Sequence, residues 1–447
     1  METSRELGNV FDTDDIMKVL LKIAPPVMLT QLIQALYNIV DSFFVGQYSG
    51  YGLTALSVIF PVQWIIQALA VGTGTGVNTL MASLYARGRR KQARETAGTG
   101  MVLSAVMWLI FSAVITFILR PYVHMSASSP DSIAYAMQYG KIVCYGSLGI
   151  FLESNWTKVH QASGNMRTPM IAQITGALVN IVLDPVLIFG LGPVPVLGIR
   201  GAAIATVTGQ FIAALIVGVK GIHRPPQKRI MGGYIRRIYS LGIPTIFMQS
   251  VQTLYIVVLN IILAGFSDEA VTVLGLYFKL QAFFFIPLIS LMTAIVPALS
   301  YNNAKGIYAR NQRIMKDCCL ISAAFMFLAM LIFEMFPAGL IEIFSKDAKV
   351  IGIGCIAFRE IGTSFLPVVF SLIMPVYFQA VGKAKESIFL SLVRQVFCFI
   401  PIFWGLSFLG VNYVWWTFLA SEVITSIFGI SMYVKTQKKI YKKIQSV

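Results

Sequence analysis

Charge is scarce in this sequence: only 12% of its 447 residues are Asp, Glu, Lys or Arg. A soluble domain carries about 25%, so the composition is that of a membrane protein. Histidine is scarce too, and His124, His160 and His223 are too scattered for a metal site or a proton relay. The five cysteines, Cys144, Cys318, Cys319, Cys355 and Cys398, lie in or beside apolar stretches. They show neither metal-ligand spacing nor a secreted disulfide framework, and read as packing residues. There is no P-loop, nucleophile elbow or Cys/His cluster. Gly72-Thr73-Gly74-Thr75-Gly76 resembles a phosphate loop only superficially, because it sits in an apolar run with no following Lys. Close helix packing accounts for it better. Enzymatic chemistry and a bound cofactor are therefore not expected. Acidic residues are the scarcer sign, 19 against 35 Lys and Arg, giving a net charge of +16. In a soluble chain that excess would suggest nucleic acid. Here it fits cytoplasmic loops, so no nucleic-acid partner is expected.

What the chain has in quantity is apolar sequence, 57% of the total. A membrane-crossing helix needs about 20 mostly apolar residues. Such runs occur at 25–45, 53–84, 97–118, 132–157, 169–190, 200–219, 243–264, 270–299, 319–336, 350–379, 387–408 and 411–434. They predict twelve spans, several long enough to tilt or to extend past the bilayer. With the N-terminus placed in the cytoplasm, inner segments hold 27 of the 35 basic residues. Outer loops hold four (Arg120, Arg200, Lys346 and Lys349), and the spans hold Lys141, Lys279, Arg359 and Arg394. The asymmetry predicts both termini inside an inner or plasma membrane. Basic clusters such as 87–94 read as solvated anchoring faces that can meet anionic membrane lipid.

Shifted by 218 residues, the chain matches itself. Pro26, Gln31, Gln34, Leu36, Tyr37 and Val40 fall on Pro244, Gln249, Gln252, Leu254, Tyr255 and Val258, and Gly88 falls on Gly306. Gln161-Ala162-Ser163-Gly164 falls on Gln379-Ala380-Val381-Gly382. Six spans per copy give both copies the same orientation, which makes them parallel repeats of the kind transporters build around a central site. The predicted organisation is all-α: a six-helix bundle at 1–222, a cytoplasmic linker at 223–242 and a second six-helix bundle at 243–447.

An ionisable side chain at the centre of a span costs at least ~2.5–3.5 kcal/mol on insertion scales, so it reads first as functional. In the first span, Gln34, Asn38 and Asp41 share one helical face, with Tyr37 four residues before Asp41. In the fifth, Asn180 and Asp184 are four apart and Pro185 follows. The plainer readings are an outer-end or capping acid at Asp41 and an Asp-Pro turn at Asp184. Two carboxylates facing one cavity could not both stay charged cheaply, which would open the pair to protonation. Lys141 and Arg359 are equivalent under the 218 shift, and snorkelling explains them as well as function does. Glu360 could pair with Arg359, while Glu153, Arg394 and Glu422 could form structural pairs. Lys279, inside the eighth span, is a candidate gating cation, and Pro26 a candidate bend in the first. With 31 Phe, 18 Tyr and 19 Met, a cavity lined by some of them would suit flat, apolar, cationic ligands.

These residues sit in stretches that together resemble the multidrug and toxic compound extrusion (MATE) family over essentially the whole chain. The stretches are Val40-Asp41-Ser42-Phe43-Phe44-Val45-Gly46, Gln161-Ala162-Ser163-Gly164-Asn165, 180–185 with Ile188-Phe189-Gly190, and 198–206. The resemblance implies a V-shaped pair of six-helix bundles that exports drugs, often organic cations, in exchange for H+ or Na+. It is closer to the DinF-like branch, whose coupling site in the first bundle maps onto Asp41, Asn180, Asp184, Thr206 and Tyr139. A Na+ ion would take Asp41, Asn180, Asp184 and Thr206. The NorM-like branch uses acids in the seventh and tenth spans; here the seventh has none and the tenth offers only Glu360. The expected protein is a monomeric secondary antiporter of small-molecule drugs working by alternating access. A lipid or cell-wall-precursor flippase of related fold is the alternative.

Overall fold

A computed structural model describes residues 16–126, 129–192, 195–344 and 347–445. Both chain ends, and with them the termini expected in the cytoplasm, lie outside the described residues, as does Lys346. Among the described residues every regular element is helical. In the first repeat these are α1 (Ile16–Tyr48), α2 (Gly50–Ala86), α3 (Arg90–Ser126), α4 (Pro130–Gly146), α5 (Leu148–Ala162), α6 (Arg167–Phe189) and α7 (Ile199–Gly221). The second repeat has α8 (Lys228–Ala264), α9 (Asp268–Phe284), α10 (Ile286–Lys305), α11 (Tyr308–Met335), α12 (Pro337–Glu342), α13 (Ala348–Gly362) and α14 (Phe365–Ala380). It ends with α15 (Ala384–Leu392), a widened π-helical segment (Val393–Phe399), α16 (Ile400–Ser407) and α17 (Trp416–Gln445).

A helix satisfies its backbone internally, which hydrocarbon demands of any spanning segment. Among the described residues, eight helices are each long and apolar enough to cross a membrane; the bent pairs α9–α10 (52°) and α13–α14 (55°) raise the number to ten. The two remaining expected spans correspond to α1 and to the pair α4–α5, which breaks at Ser147 and carries Lys141, Glu153 and Lys158. The chain is a multi-pass membrane protein.

The helices overrun the expected spans at their charged ends. α3 starts at Arg90 rather than 97, and α8 at Lys228 rather than 243. Lys and Arg are good helix formers, and beyond the headgroups water accepts their charge, so hydropathy marks only the middle of each helix. The linker expected at 223–242 therefore reduces to residues 222–227, the rest being the start of α8. The compact units also divide elsewhere than expected. One holds residues up to Ser250 together with Ser300–Ile307, and the other holds Val251–Leu299 and Tyr308 onward.

The repeat survives in backbone detail. The α4–α5 break at Ser147 has its counterpart between α13 and α14. Among the described residues, six of the eight glycines with left-handed φ come in pairs 218 apart: Gly88 (71°) and Gly306 (75°), Gly164 (79°) and Gly382 (81°), Gly192 (74°) and Gly410 (117°). Each pair ends a helix or turns a loop where a Cβ would be strained.

Within the first unit, Ile59, Val62, Tyr139, Phe151 and Ala203 form one buried cluster, and Val77, Met81, Ala97, Val159 and Ile238 another. The glycine run of α2 is the packing device expected. A Cβ on Gly76 would collide with the Ile238 carbonyl of α8, and one on Gly242 would lie 2.5 Å from the Gly72 carbonyl. Nearby, Tyr234 Oη on α8 donates to Glu95 Oε2 on α3 at 2.6 Å. Tyr234→Phe is expected to lower stability by about 1 kcal/mol, read as a small drop in Tm of the detergent-solubilised protein. The second unit is knit by aromatics instead, with ring centroids 4.8 Å apart in both Phe333–Phe365 and Phe399–Phe418.

Candidate functional site

The site begins with two glycines. On α6 and α7, Gly176 and Gly209 face each other so closely that a Cβ on either would lie 2.6 Å from the other's carbonyl oxygen. Such small-residue contacts bring helix backbones together, and short side chains one turn further along can then meet. Asn180 Nδ2 on α6 lies 3.5 Å from Thr206 Oγ1 on α7 and 3.4 Å from Asp184 Oδ1 on its own helix. α6 continues through Pro185 to Phe189, so Asp184 is a mid-helix acid and not part of an Asp-Pro turn.

α1 supplies the second acid. It runs on to Tyr48, so Asp41 is not a capping residue. Asp41 is 7% exposed and Asp184 fully buried, and their carboxyl groups are in hydrogen-bond contact. From α4, the buried Tyr139 hydroxyl reaches Thr206 and accepts from Gln63 Nε2 at 3.4 Å. Tyr37 stands within electrostatic reach of both acids. Three buried oxygens of this cluster have no hydrogen-bond partner: Asp41 Oδ1, Asn180 Oδ1 and Asp184 Oδ2. Buried acceptors left unsatisfied are expensive, and a set of hard oxygens is the kind of donor set that takes a proton or an alkali cation.

Six of the residues singled out from sequence thus share this neighbourhood: Asp41, Asp184, Asn180, Thr206, Tyr139 and Tyr37. Gln34 does not share Asp41's burial; it is exposed. The side chain of Asn38 lies outside the described residues. Pro26 is inside α1 rather than at its start, about four turns from Asp41. Its carbonyl accepts from Thr30 Oγ1 at 2.9 Å. Lys279 belongs to the second unit, exposed on α9, its ammonium 5.8 Å from the Phe344 ring centroid. Lys141 and Arg359 are exposed, and Glu360 hydrogen-bonds Trp416 rather than its neighbour Arg359. Glu153 accepts from Thr157 and Gln173 at 2.8 and 2.9 Å. Lys158, counted from sequence among the loop residues, lies in α5 and donates to Gln161.

Gln63 was not picked out from sequence. It is one of three side-chain amides in the long apolar run of α2, and only the fold shows that it is the one that holds Tyr139. Arg394 and Glu422, candidates for structural pairing in the sequence, do pair, their charged groups approaching to 2.6 Å. Thr206→Val keeps the shape of α7 but removes the oxygen facing Asn180 and Tyr139. It is expected to lower stability by about 1 kcal/mol, the worth of roughly one hydrogen bond, read as a small drop in Tm of the detergent-solubilised protein.

A family model described as MatE matches residues 26–186 and again 244–404, the second match displaced by the same 218 residues as the internal repeat. Among curated relatives, an FAD transporter of Shewanella oneidensis is 24% identical over 432 residues, covering 95% of each chain. The multidrug export protein MepA of Staphylococcus saprophyticus is 22% identical over 426 residues, covering 93% of each. A solved mutant of the Vibrio cholerae MATE transporter VcmN superposes with a TM-score of 0.88 at 20% identity, covering 98% of this chain and 99% of that one. The chain belongs to the MatE family and is a membrane transporter, not an enzyme.

Proposed function

We propose that this MatE-family chain is a secondary antiporter exporting small amphipathic organic molecules, cations among them, in exchange for H+ or Na+ bound between Asp41 and Asp184. The observation that carries this reading is the pair of buried carboxyls in mutual contact, each with one oxygen unpartnered. Two carboxylates so placed repel each other and cannot both stay charged without a compensating cation. A proton or Na+ entering the site removes the charge; its departure restores an acidic patch able to hold a cationic cargo. The exchange is competition for one charge, and alternating access separates the two occupancies in space. Each pH unit supplies about 1.4 kcal/mol per proton, and each 100 mV about 2.3 kcal/mol per charge.

The grouping of Asp41, Asn180, Asp184, Thr206 and Tyr139 in one unit supports the DinF-like branch, and the lack of an acid in the membrane part of α8 argues against NorM-like coupling. The excess of basic residues in the inner segments supports cytoplasmic termini in a cell membrane. We take the working unit to be a monomer. The test is ethidium efflux from reconstituted vesicles with pH and Na+ gradients imposed separately, alongside FAD and other anions as competing cargo. Efflux driven by neither gradient would overturn ion coupling, and transport of anions alone would overturn the cargo class. A lipid flippase would need a basic site, and an acid pair in mutual contact speaks against it.

A further inference from the structure

The second unit also buries an acid. Glu422 on α17 meets Arg394 at the start of the π-helical segment: Nη2 to Oε1 is 2.6 Å, and Nε lies 2.9 and 3.1 Å from the two carboxylate oxygens. Ser371 on α14 donates to Oε2, and Ser421 Oγ donates to the Arg394 carbonyl at 2.8 Å. The two side chains are 11% and 3% exposed. Unlike the acids of the first unit, Glu422 has both oxygens occupied.

The place matters as much as the pairing. Under the 218 shift, Arg394 and Glu422 lie on the counterparts of α6 and α7, the helices that carry Asn180, Asp184 and Thr206. Tyr255, counterpart of Tyr37, faces the pair, as does Tyr277. Cys398, counterpart of Asn180, is within electrostatic reach of Glu422. Position 394 corresponds to Gly176, so where the first copy brings two backbones together, the second inserts a guanidinium. Arginine stays protonated at every pH a protein survives and binds carboxylate with two prongs.

We infer that Arg394 is a tethered cation that neutralises, in the second copy, the acid buried on the helix pair equivalent to the one that carries the coupling-ion site in the first. A permanent occupant cannot cycle, so the second unit carries no ion and coupling is confined to the first. This rests on the proposed ion coupling at Asp41 and Asp184, but its test reads a different quantity.

The experiment counts cations bound per purified full-length transporter, by potentiometric proton titration between pH 5 and 10 and by calorimetric Na+ titration. Arg394→Gln is expected to bind one proton or Na+ more than its parent, because Glu422 then has open oxygens. The double variant Arg394→Gln/Glu422→Gln is expected to return to the parent count, and Arg394→Lys to leave it unchanged. The same increment is expected when Asp41→Asn/Asp184→Asn is the parent. A folded Arg394→Gln protein with the parent count overturns the inference. If that variant does not fold, the non-titrating Arg394→Met replaces it, with the same extra proton or Na+ expected; an unchanged count there also overturns the inference. Failure of the first-unit site would show instead as equal counts for wild type and Asp41→Asn/Asp184→Asn, leaving the Arg394 difference readable.

Discussion

Asp184→Asn is expected to abolish gradient-driven efflux while leaving a folded protein, its affinity for cationic cargo weakened. The side chain is fully buried and already receives a hydrogen bond from Asn180, so an amide of the same shape can be held in place. What it cannot do is lose a proton or take up a cation's charge. For each proton dropped from the cycle, the attainable cargo gradient falls about tenfold per pH unit imposed. Asp41→Asn should do the same, and the double variant should be no worse than either single one, because the two carboxyls act as one coupled site. Vesicle efflux under imposed pH and Na+ gradients measures this directly. Full driven efflux by either single variant would show that the acid pair is not the coupling site.

The largest structural effect is expected from Gly176→Val. The new Cβ would lie 2.6 Å from the Gly209 carbonyl, a backbone atom with nowhere to retreat, so α6 and α7 must separate. Overpacking of this kind costs about 1–3 kcal/mol or more, and the separation also pulls Thr206 away from Asn180. Thermal unfolding in detergent should show a Tm lowered by several degrees, with ion affinity falling alongside. Gly352→Ala is the control. A Cβ there meets nothing within 4 Å on α13, so its Tm should hold or rise slightly. Equal Tm values for the two variants would mean that the glycine contact does not hold the site together.

How much of this was legible in the sequence differs residue by residue. Asn180 and Asp184 were legible because a four-residue spacing in an apolar run is local information. The repeat was legible because it is a property of the string itself. That Asp41 meets Asp184 is different: the contact joins helices far apart in the chain, so a linear reading can raise a shared cavity without placing the two acids together. Gln34 shows the limit of the face argument, since a polar stripe can be buried at Asp41 and exposed one or two turns earlier. Helix lengths were misjudged where charge begins. Arg90 to Arg94 and Lys228 to Arg237 look like loop to a hydropathy scale, yet they continue α3 and α8. The breaks at Ser147, Phe285 and 363–364 left no mark in hydropathy, because bending a span does not alter its composition.

The Arg394–Glu422 pair also constrains how the chain is made. Ribosomes deliver α15 and the π-helical segment before α17, so Arg394 reaches the bilayer 28 residues ahead of the carboxylate that neutralises it. Alone at mid-membrane it is worth at least ~2.5–3.5 kcal/mol against insertion. The eleventh span is therefore one that should wait beside the translocon, released into lipid only when the twelfth arrives to pair with it. The two helices are expected to enter the membrane as a couple, joined by the Arg394–Glu422 pair.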